Sequence, residues 1–156
     1  MRIVLSGQGG SEYRAARDWC IEHLDASSSV VAVVGASALG DFVMGLPMFD
    51  LLDATDQVVT EIDREVCGPL TAVGVSCRTE VVSTGQAHAL AEVAERERAD
   101  MIVIGKVPHG TLSDVFRSET ASHLIHRPPC PVLIVPTHSE MEMAHGHSAP
   151  PGRAVP

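Results

Sequence analysis

The sequence predicts an α/β domain: a five-stranded parallel sheet with helices on both faces, in a doubly wound arrangement. Two observations support this prediction. Short apolar runs of strand length alternate with segments whose apolar residues recur at helical spacing. The runs Val30–Val34 and Met101–Ile104 are apolar at every position, as is typical of strands covered by helices on both sides. A chain of 156 residues is long enough to bury one core and short for two domains.

Five segments have the composition of strands. The first is rich in β-branched residues and ends in a glycine-rich turn, and the second and fourth are continuously apolar. The third alternates in part, and the fifth carries prolines at its ends, where strand amides need no partner. In chain order the predicted strands are Ile3–Leu5, Val30–Val34, Val75–Thr84, Met101–Ile104 and Pro131–Pro136.

Four segments have apolar residues at helical spacing. Ser11 can cap the first, Gly68-Pro69 should end or kink the second, and Pro128 stops the fourth. The predicted helices are Ser11–Leu24, Asp50–Cys67, Gln86–Arg98 and Leu112–Ile125. Three glycines and a proline between Gly35 and Pro47 indicate a long ordered loop.

The order of these elements predicts where a ligand binds. Parallel strands joined by right-handed crossovers place a ligand site beyond the carboxyl ends of the strands. The domain is expected to span residues 1–136. The last twenty residues, Thr137–Pro156, are rich in Pro, Gly, Ser and His and lack periodicity, so we predict a disordered tail there.

Composition argues against several classes of partner. A formal charge of −9 and only three Phe, one Trp and one Tyr disfavour nucleic-acid binding. The N-terminus lacks a secretory apolar region and no apolar run is long enough to cross a bilayer, so we expect a cytoplasmic protein without a membrane partner. The cysteines form no Cys-x-x-Cys pair and are predicted to be buried or idle thiols: Cys20, Cys67, Cys77 and Cys130.

A family becomes recognisable in the loop after the fourth strand. The loop reads Gly105-Lys106-Val107-Pro108-His109-Gly110-Thr111-Leu112-Ser113-Asp114-Val115-Phe116-Arg117-Ser118-Glu119, and a Cys-Pro-Val-plus-apolar strand follows at Cys130. This segment resembles the C-terminal half of the universal stress protein family, whose ATP-binding members carry Gly-x-x-Gly, nine residues, and then Gly-Ser or Gly-Thr. The resemblance extends over roughly Met1–Pro136 and includes Gly-Ser-Glu at Gly10–Glu12.

The resemblance implies an adenine-nucleotide alpha hydrolase-like fold, a role in stress response, and a homodimer formed through the final strand. That strand, Val132–Val135, is apolar and would otherwise be an exposed edge. A protein or small-molecule partner is also implied, but the residues do not identify it.

The ATP motif itself is degenerate. The first glycine of the family is present as Gly105, whereas the second falls on Pro108, the third on Ser118 and the hydroxyl residue on Glu119. The Asp that precedes Gly-Ser in ATP-binding relatives falls on Gly9. Proline has no amide hydrogen to donate to a phosphate, and a carboxylate repels one. We therefore expect weak or absent ATP binding and no resident cofactor.

Other residues of the same turns can still form an anion site of another design. The candidate ligand-binding residues are Gly7, Gly9, Gly10, Gly105, Lys106, His109, Gly110, Thr111 and Ser118. The spacing Gly7-x-Gly9-x-x-Glu12 does not fit the dinucleotide fingerprint, which needs glycine at its third position. No Ser-His-Asp or Cys-His arrangement follows from the spacing, so no catalytic residue is assigned and an enzyme is not expected.

Three functions remain open at this point. The first is a stress-protein-like binding or regulatory module with little ATP affinity, and the second is an ATP-binding protein with a rebuilt phosphate loop. The third is metal handling by the tail, whose segment His138–His147 offers imidazole and thioether ligands for copper or nickel. Within the domain, His109, His123 and His126 are better explained as surface residues, and no metal site is assigned there.

Overall fold

In the computed structural model, five strands form a parallel sheet. The structure describes residues 1–7, 10–35, 48–105, 124 and 126–137. The strands are β1 (Arg2–Ser6), β2 (Ser29–Gly35), β3 (Ser76–Val82), β4 (Met101–Gly105) and β5 (Val132–Val135). Their order across the sheet is β3-β2-β1-β4-β5, and every neighbouring pair is parallel. The predicted fold class is confirmed.

Helical segments connect the strands. They are α1 (Gly10–His23), α2 (Met48–Ile62), a π-helical segment (Asp63–Cys67), α3 (Gly68–Ala72) and α4 (Gln86–Glu97). Of the predicted helix Leu112–Ile125, only Leu124 belongs to the described residues, and it is helical and buried. The predicted capping side chain of Ser11 and the loop that follows Gly35 lie outside the described part of the chain.

Two hydrophobic cores cover the two faces of the sheet, because successive strand residues point to opposite faces. One core joins alternate residues of the central strands to α1, the π-helical segment and α3. Its strand members are Ile3, Leu5, Val30, Ala32, Val34, Val103 and Val135. The other joins the intervening residues Val4, Val31, Val33, Ile102 and Ile104 to α4 and Leu124. This double burial explains why β2 and β4 have no polar positions in their interiors.

The predicted break at Gly68-Pro69 takes the form of a change in helix type. The amide of Gly68 donates to the carbonyl of Asp63, five residues back, which is the π-helical pattern. Pro69 has no amide hydrogen for the carbonyl of Glu65, four residues back. The Arg17 guanidinium of α1 donates to that carbonyl at 2.8 Å instead. The carbonyl that Pro69 cannot serve therefore receives its hydrogen bond from a side chain of the neighbouring helix.

The edge strand β3 carries a network of ion pairs. Arg96 of α4 contacts both carboxylate oxygens of Glu80 at 2.6 Å, and Arg78 contacts Glu97 at 2.8 Å. Hydrogen bonding to Glu80 raises the pKa of Arg96, and hydrogen bonding from Arg78 lowers the pKa of Glu97. Charged side chains along an edge strand discourage pairing with another chain.

The prediction of idle thiols is wrong for two of the cysteines. Cys67, the last residue of the π-helical segment, forms a disulfide with Cys77 of β3. The turn after α3 contains Gly74 with a φ of 89°, a left-handed conformation that favours glycine, and it returns the chain beside the segment it has just left. The Cα atoms of the two cysteines lie 5.0 Å apart as a result. Cys20 and Cys130 are free, as expected.

Candidate ligand-binding edge of the sheet

The sheet has a switch point between β1 and β4, because the chain builds outward from β1 to β3 and then crosses to β4 and β5 on the other side. Ligands of open parallel sheets bind outside the carboxyl ends of the strands at such a point. The register pairs Leu5 with Val103, and both strands end at this edge, β1 at Ser6 and β4 at Gly105. The helix α1 begins just beyond, at Gly10. Three of the predicted ligand-binding residues therefore lie at this edge: Gly7 directly after β1, Gly105 at the end of β4 and Gly10 at the start of α1.

Gly7 lies directly against the end of β2. Its amide donates to the carbonyl of Val33 at 2.9 Å. A Cβ at position 7 would lie 3.2 Å from that carbonyl oxygen and 3.2 Å from a methyl group of Val34, so the neighbours would have to give way slightly. Glycine thus lets the turn after β1 fold closely onto β2.

The side chain of Gln86, the first residue of α4, connects the carboxyl ends of β1 and β2. Its Nε2 donates to the carbonyl of Val33 at 2.9 Å and to the hydroxyl of Ser6 at 3.1 Å. Its Oε1 accepts the amide hydrogen of Gly35 at 2.5 Å. Gln86 is only 6% exposed, so water cannot replace these bonds freely. This side chain, hereafter the Gln86 bridge, fixes the spacing of two strand ends at the candidate site.

Gly35 makes the Gln86 bridge possible. A Cβ at this position would lie 2.6 Å from the amide nitrogen and 2.7 Å from the Cα of Gln86. Both are backbone atoms, so a side chain could not be accommodated without moving the start of α4. The close approach of β2 to this helix therefore requires glycine.

The two free thiols are poorly suited to nucleophilic chemistry, which requires a thiolate. Burial raises the pKa of Cys20 to about 12. Burial also raises the pKa of Cys130, against a smaller opposing effect of a hydrogen bond from the backbone of Ile102. Both sulfurs are thus held mainly as thiols at neutral pH.

Only part of the predicted site can be placed. Gly7, Gly10 and Gly105 lie at the ends of their elements on the carboxyl edge of the sheet, as described above. The other candidates lie outside the described residues, as do Pro108 and Glu119: Gly9, Lys106, His109, Gly110, Thr111 and Ser118. Their roles stay predictions. In the described ranges, no three His, Cys, Asp or Glu side chains are grouped so that they could hold a metal ion.

Sequence reasoning missed the Gln86 bridge and the reason for Gly35. Gln86 was recognised only as the start of a helix, because a single polar residue after a glycine has no periodic signal. The signal that could have revealed it is a polar residue at the first position of a helix that follows a parallel strand, because that position lies beside the strand ends. Its partners are 51 and 80 residues away in the chain, so only the tertiary structure identifies them.

The family model described as "Universal stress protein family" matches residues 1–136. The chain belongs to this family. Universal stress protein MJ0531 of Methanocaldococcus jannaschii is 26% identical over 141 residues, which cover 86% of this chain and 81% of the relative. The predicted family is therefore confirmed.

Solved structures show the same fold. A universal stress protein family protein from Arabidopsis thaliana with AMP bound has a TM-score of 0.62 at 11% identity, covering 90% of this chain and 94% of that chain. A universal stress protein in complex with cAMP has a TM-score of 0.54 at 17% identity, covering 87% and 97% of the two chains. At these identities the likeness concerns the fold alone. None of the helices in the described ranges is long and apolar enough to span a membrane.

Proposed function

We propose that this universal stress protein is a binding or regulatory module of the stress response with weak or absent ATP binding, acting as a cytoplasmic homodimer. The observation that carries the proposal is the set of residues at the ATP-motif positions. Pro108 has no amide hydrogen, Glu119 places a carboxylate where a hydroxyl is expected, and Gly9 lacks the Asp side chain. Each change removes a favourable contact to a nucleotide or adds a repulsive one.

The described residues support the proposal that this edge of the sheet still binds a ligand. The Gln86 bridge and the close approach of Gly35 hold the ends of β1 and β2 in fixed positions. Gly7 follows β1 and Gly105 ends β4, the two strands of the switch point, and neither residue has a side chain that would fill the space there. A ligand other than ATP is therefore the occupant that we propose for this edge.

Calorimetric titration of the wild-type chain with ATP and magnesium tests the proposal. The comparison is a variant that restores the family motif through Gly9→Asp, Pro108→Gly, Ser118→Gly and Glu119→Ser. The formal net charge is the same in both proteins, because the added Asp offsets the lost Glu. We expect no heat from the wild type at about 1 mM ATP and at least tenfold tighter binding by the restored variant, roughly 1.4 kcal/mol or more.

Two results would contradict the proposal in different ways. Micromolar ATP binding by the wild type would overturn the proposed loss of affinity. A restored variant that binds no better than the wild type would show that the four motif positions are not the cause. Mass spectrometry of the purified chain under native conditions would then identify any ligand that it carries.

The two edges of the sheet favour a dimer through β5. The β3 edge carries the Arg78, Glu80, Arg96 and Glu97 network. By contrast, Val132–Val135 is apolar, and its first three residues are only half-buried. An exposed apolar edge strand is a ready site for pairing with another chain. We therefore place the proposed dimer contact at β5.

Analytical ultracentrifugation at micromolar concentration tests the dimer. Val132→Lys adds a charge to the apolar edge, and Ser76→Lys adds the same charge to the start of β3, where Ser76 is exposed. We expect the wild type and Ser76→Lys to sediment as dimers and Val132→Lys to shift toward monomer. A monomeric wild type, or equal behaviour of the two variants, would contradict the β5 contact.

Nucleotide binding through a rebuilt loop is the second candidate function. The specific observation in its favour is that relatives of the same fold are described with AMP bound and in complex with cAMP. In this chain Lys106 and Thr111 would take the place of the missing contacts. The titration above separates the candidates, since tight nucleotide binding supports this one. Metal handling by the tail stays a prediction, because residues 138–156 lie outside the described part of the chain.

A further inference from the structure

We propose that Cys67 and Cys77 form a reversible thiol–disulfide exchange site that reacts with low-molecular-weight thiols and disulfides. The two residues belong to different elements, the π-helical segment and the edge strand β3. Their Cα atoms lie 5.0 Å apart, which is within the usual range for a disulfide. The bond can therefore close and open without a large movement of the backbone.

Both cysteines border an open groove through which a small thiol can approach. The groove has a volume of about 600 Å³ and is lined by Asp63, Cys67, Gly68, Thr71, Ala72, Cys77, Arg78 and Thr79. Cys67 is only 6% exposed, whereas Cys77 is half-buried. Cys77 is therefore the more accessible residue of the pair, and we assign its sulfur as the atom that an incoming thiolate attacks.

The exchange is balanced in two steps. A small thiolate attacks the Sγ of Cys77, a mixed disulfide forms there, and the bond to Cys67 breaks with its electron pair on the Sγ of Cys67, which takes a proton from water. A second small thiolate then attacks the mixed disulfide on the small-molecule sulfur. A low-molecular-weight disulfide leaves, and Cys77 is released as a thiolate. The reverse sequence reoxidises the pair, with the low-molecular-weight disulfide as oxidant.

Opening the bond would loosen a defined part of the molecule. The disulfide connects the π-helical segment to β3, and only a few other polar contacts join the two in the described residues. One of them is the hydrogen bond from the Thr79 hydroxyl to the Asp63 carboxylate at 2.5 Å. The same segment contacts α1 through Arg17, which donates to the carbonyl of Glu65. Reduction would thus change the mobility of the exposed residues between positions 63 and 77, while the buried Val66, Leu70 and Val75 stay packed in the core.

The biological meaning of the site rests on the cytoplasmic location proposed above. Disulfides in that compartment are usually transient and catalytic or redox-sensing. The chemical claim does not depend on the location, on ATP binding or on the dimer. Its failure is therefore distinguishable from failure of the proposed function.

The test equilibrates the full chain in glutathione buffers of graded reduced-to-oxidised ratio, followed by acid quenching and denaturation. Alkylation with a mass-tagged reagent then counts thiols by intact mass, and peptide mapping locates them. We expect all four cysteines to be labelled at the reducing end and only Cys20 and Cys130 at the oxidising end, with an intermediate ratio at which both forms coexist. Hydrogen exchange of amides in residues 63–77 should be at least tenfold faster in the reduced form.

Matched variants make the result decisive. Cys77→Ser should abolish the two-thiol change, whereas Cys130→Ser should retain it, with circular dichroism confirming that each variant is folded. Four labelled thiols at every ratio would overturn the proposal, because the pair would not oxidise. A pair that stays oxidised in fully reduced glutathione would also overturn it, since the bond would then be purely structural. Amide hydrogen exchange rates that are equal in the reduced and oxidised forms would contradict the proposed increase in mobility.

Discussion

The Gln86 bridge gives the strongest test of how the ligand edge is held. Gln86→Met keeps an unbranched side chain of similar length and removes every hydrogen bond that the amide makes. The buried amide of Gly35 would lose its acceptor, which costs about 1–3 kcal/mol. The carbonyl of Val33 would keep the hydrogen bond from Gly7, so losing the bond from Gln86 should cost stability at the low end of about 0.5–1.5 kcal/mol. Losing the bond to the Ser6 hydroxyl should cost an amount in the same range. We expect the free energy of unfolding to fall by about 2–5 kcal/mol.

Urea denaturation followed by circular dichroism measures this loss. Gln57→Met is the matched control, because Gln57 is exposed on α2 and its substitution should change stability by no more than about 0.5 kcal/mol. A fall of about 3 kcal/mol corresponds to a decrease of roughly 10 °C in Tm for a domain of this size. If Gln86→Met unfolds within about 0.5 kcal/mol of the wild type, the reasoning about buried unpaired amides at this edge is refuted.

Three further predictions concern stability elsewhere in the fold. Arg17→Met removes the hydrogen bond to the carbonyl of Glu65 at the helix break. Amide hydrogen exchange in residues 63–72 should therefore accelerate, and the free energy of unfolding should fall by about 1–2 kcal/mol. Unchanged exchange rates would contradict this role of Arg17. Arg98 caps the end of α4 with a φ of 51°, a left-handed conformation that glycine adopts more readily than arginine. Arg98→Gly should therefore raise the free energy of unfolding by about 0.5–1 kcal/mol, measured by thermal unfolding. The control Glu92→Gly, within the helix, should lower it by about 1 kcal/mol. Arg78 holds the pKa of Glu97 below its ordinary value of 4.5, so this carboxylate stabilises the fold above that pH and loses its effect as the pH falls through the lowered value. Glu97→Gln should therefore flatten the acid limb of the stability profile, and an unchanged limb would count against the ion pair.

Much of the fold could be predicted from the sequence because burial on both faces leaves a plain pattern. Continuous apolar runs placed β2 and β4 within one residue of their observed ends, and periodicity placed α4 equally well. The second predicted helix was less accurate, because a change to the π-helical pattern produces no distinct periodicity over five residues. Pro69 in the sequence did predict a break in this helix. It could not predict that the guanidinium of Arg17 on α1 would donate to the carbonyl left without a partner.

For the candidate site, the sequence could predict only where some of the glycines lie relative to the sheet, and their ligand role stays a prediction. Gly7, Gly10 and Gly105 follow or precede regular elements, so their positions relative to the sheet could be inferred along the chain. The Gln86 bridge depends on partners in two other strands, and no local pattern encodes such a contact. The same limit applies to the cysteines, since their spacing of ten residues gives no pairing signal until the turn at Gly74 folds the chain back.

The sequence by itself determined the five-stranded doubly wound fold, the family and the loss of the ATP-motif residues. The fold follows from local hydrophobic patterning, whereas the family and the altered motif positions follow from the resemblance of the loop after β4 to the family motif. Only the tertiary structure decided that Gln86 joins two strand ends, that Gly35 has no room for a side chain, and that Cys67 and Cys77 are bonded. Each of these depends on distances between segments that are remote in the chain or turned back on themselves, and such distances are set by packing of the whole domain.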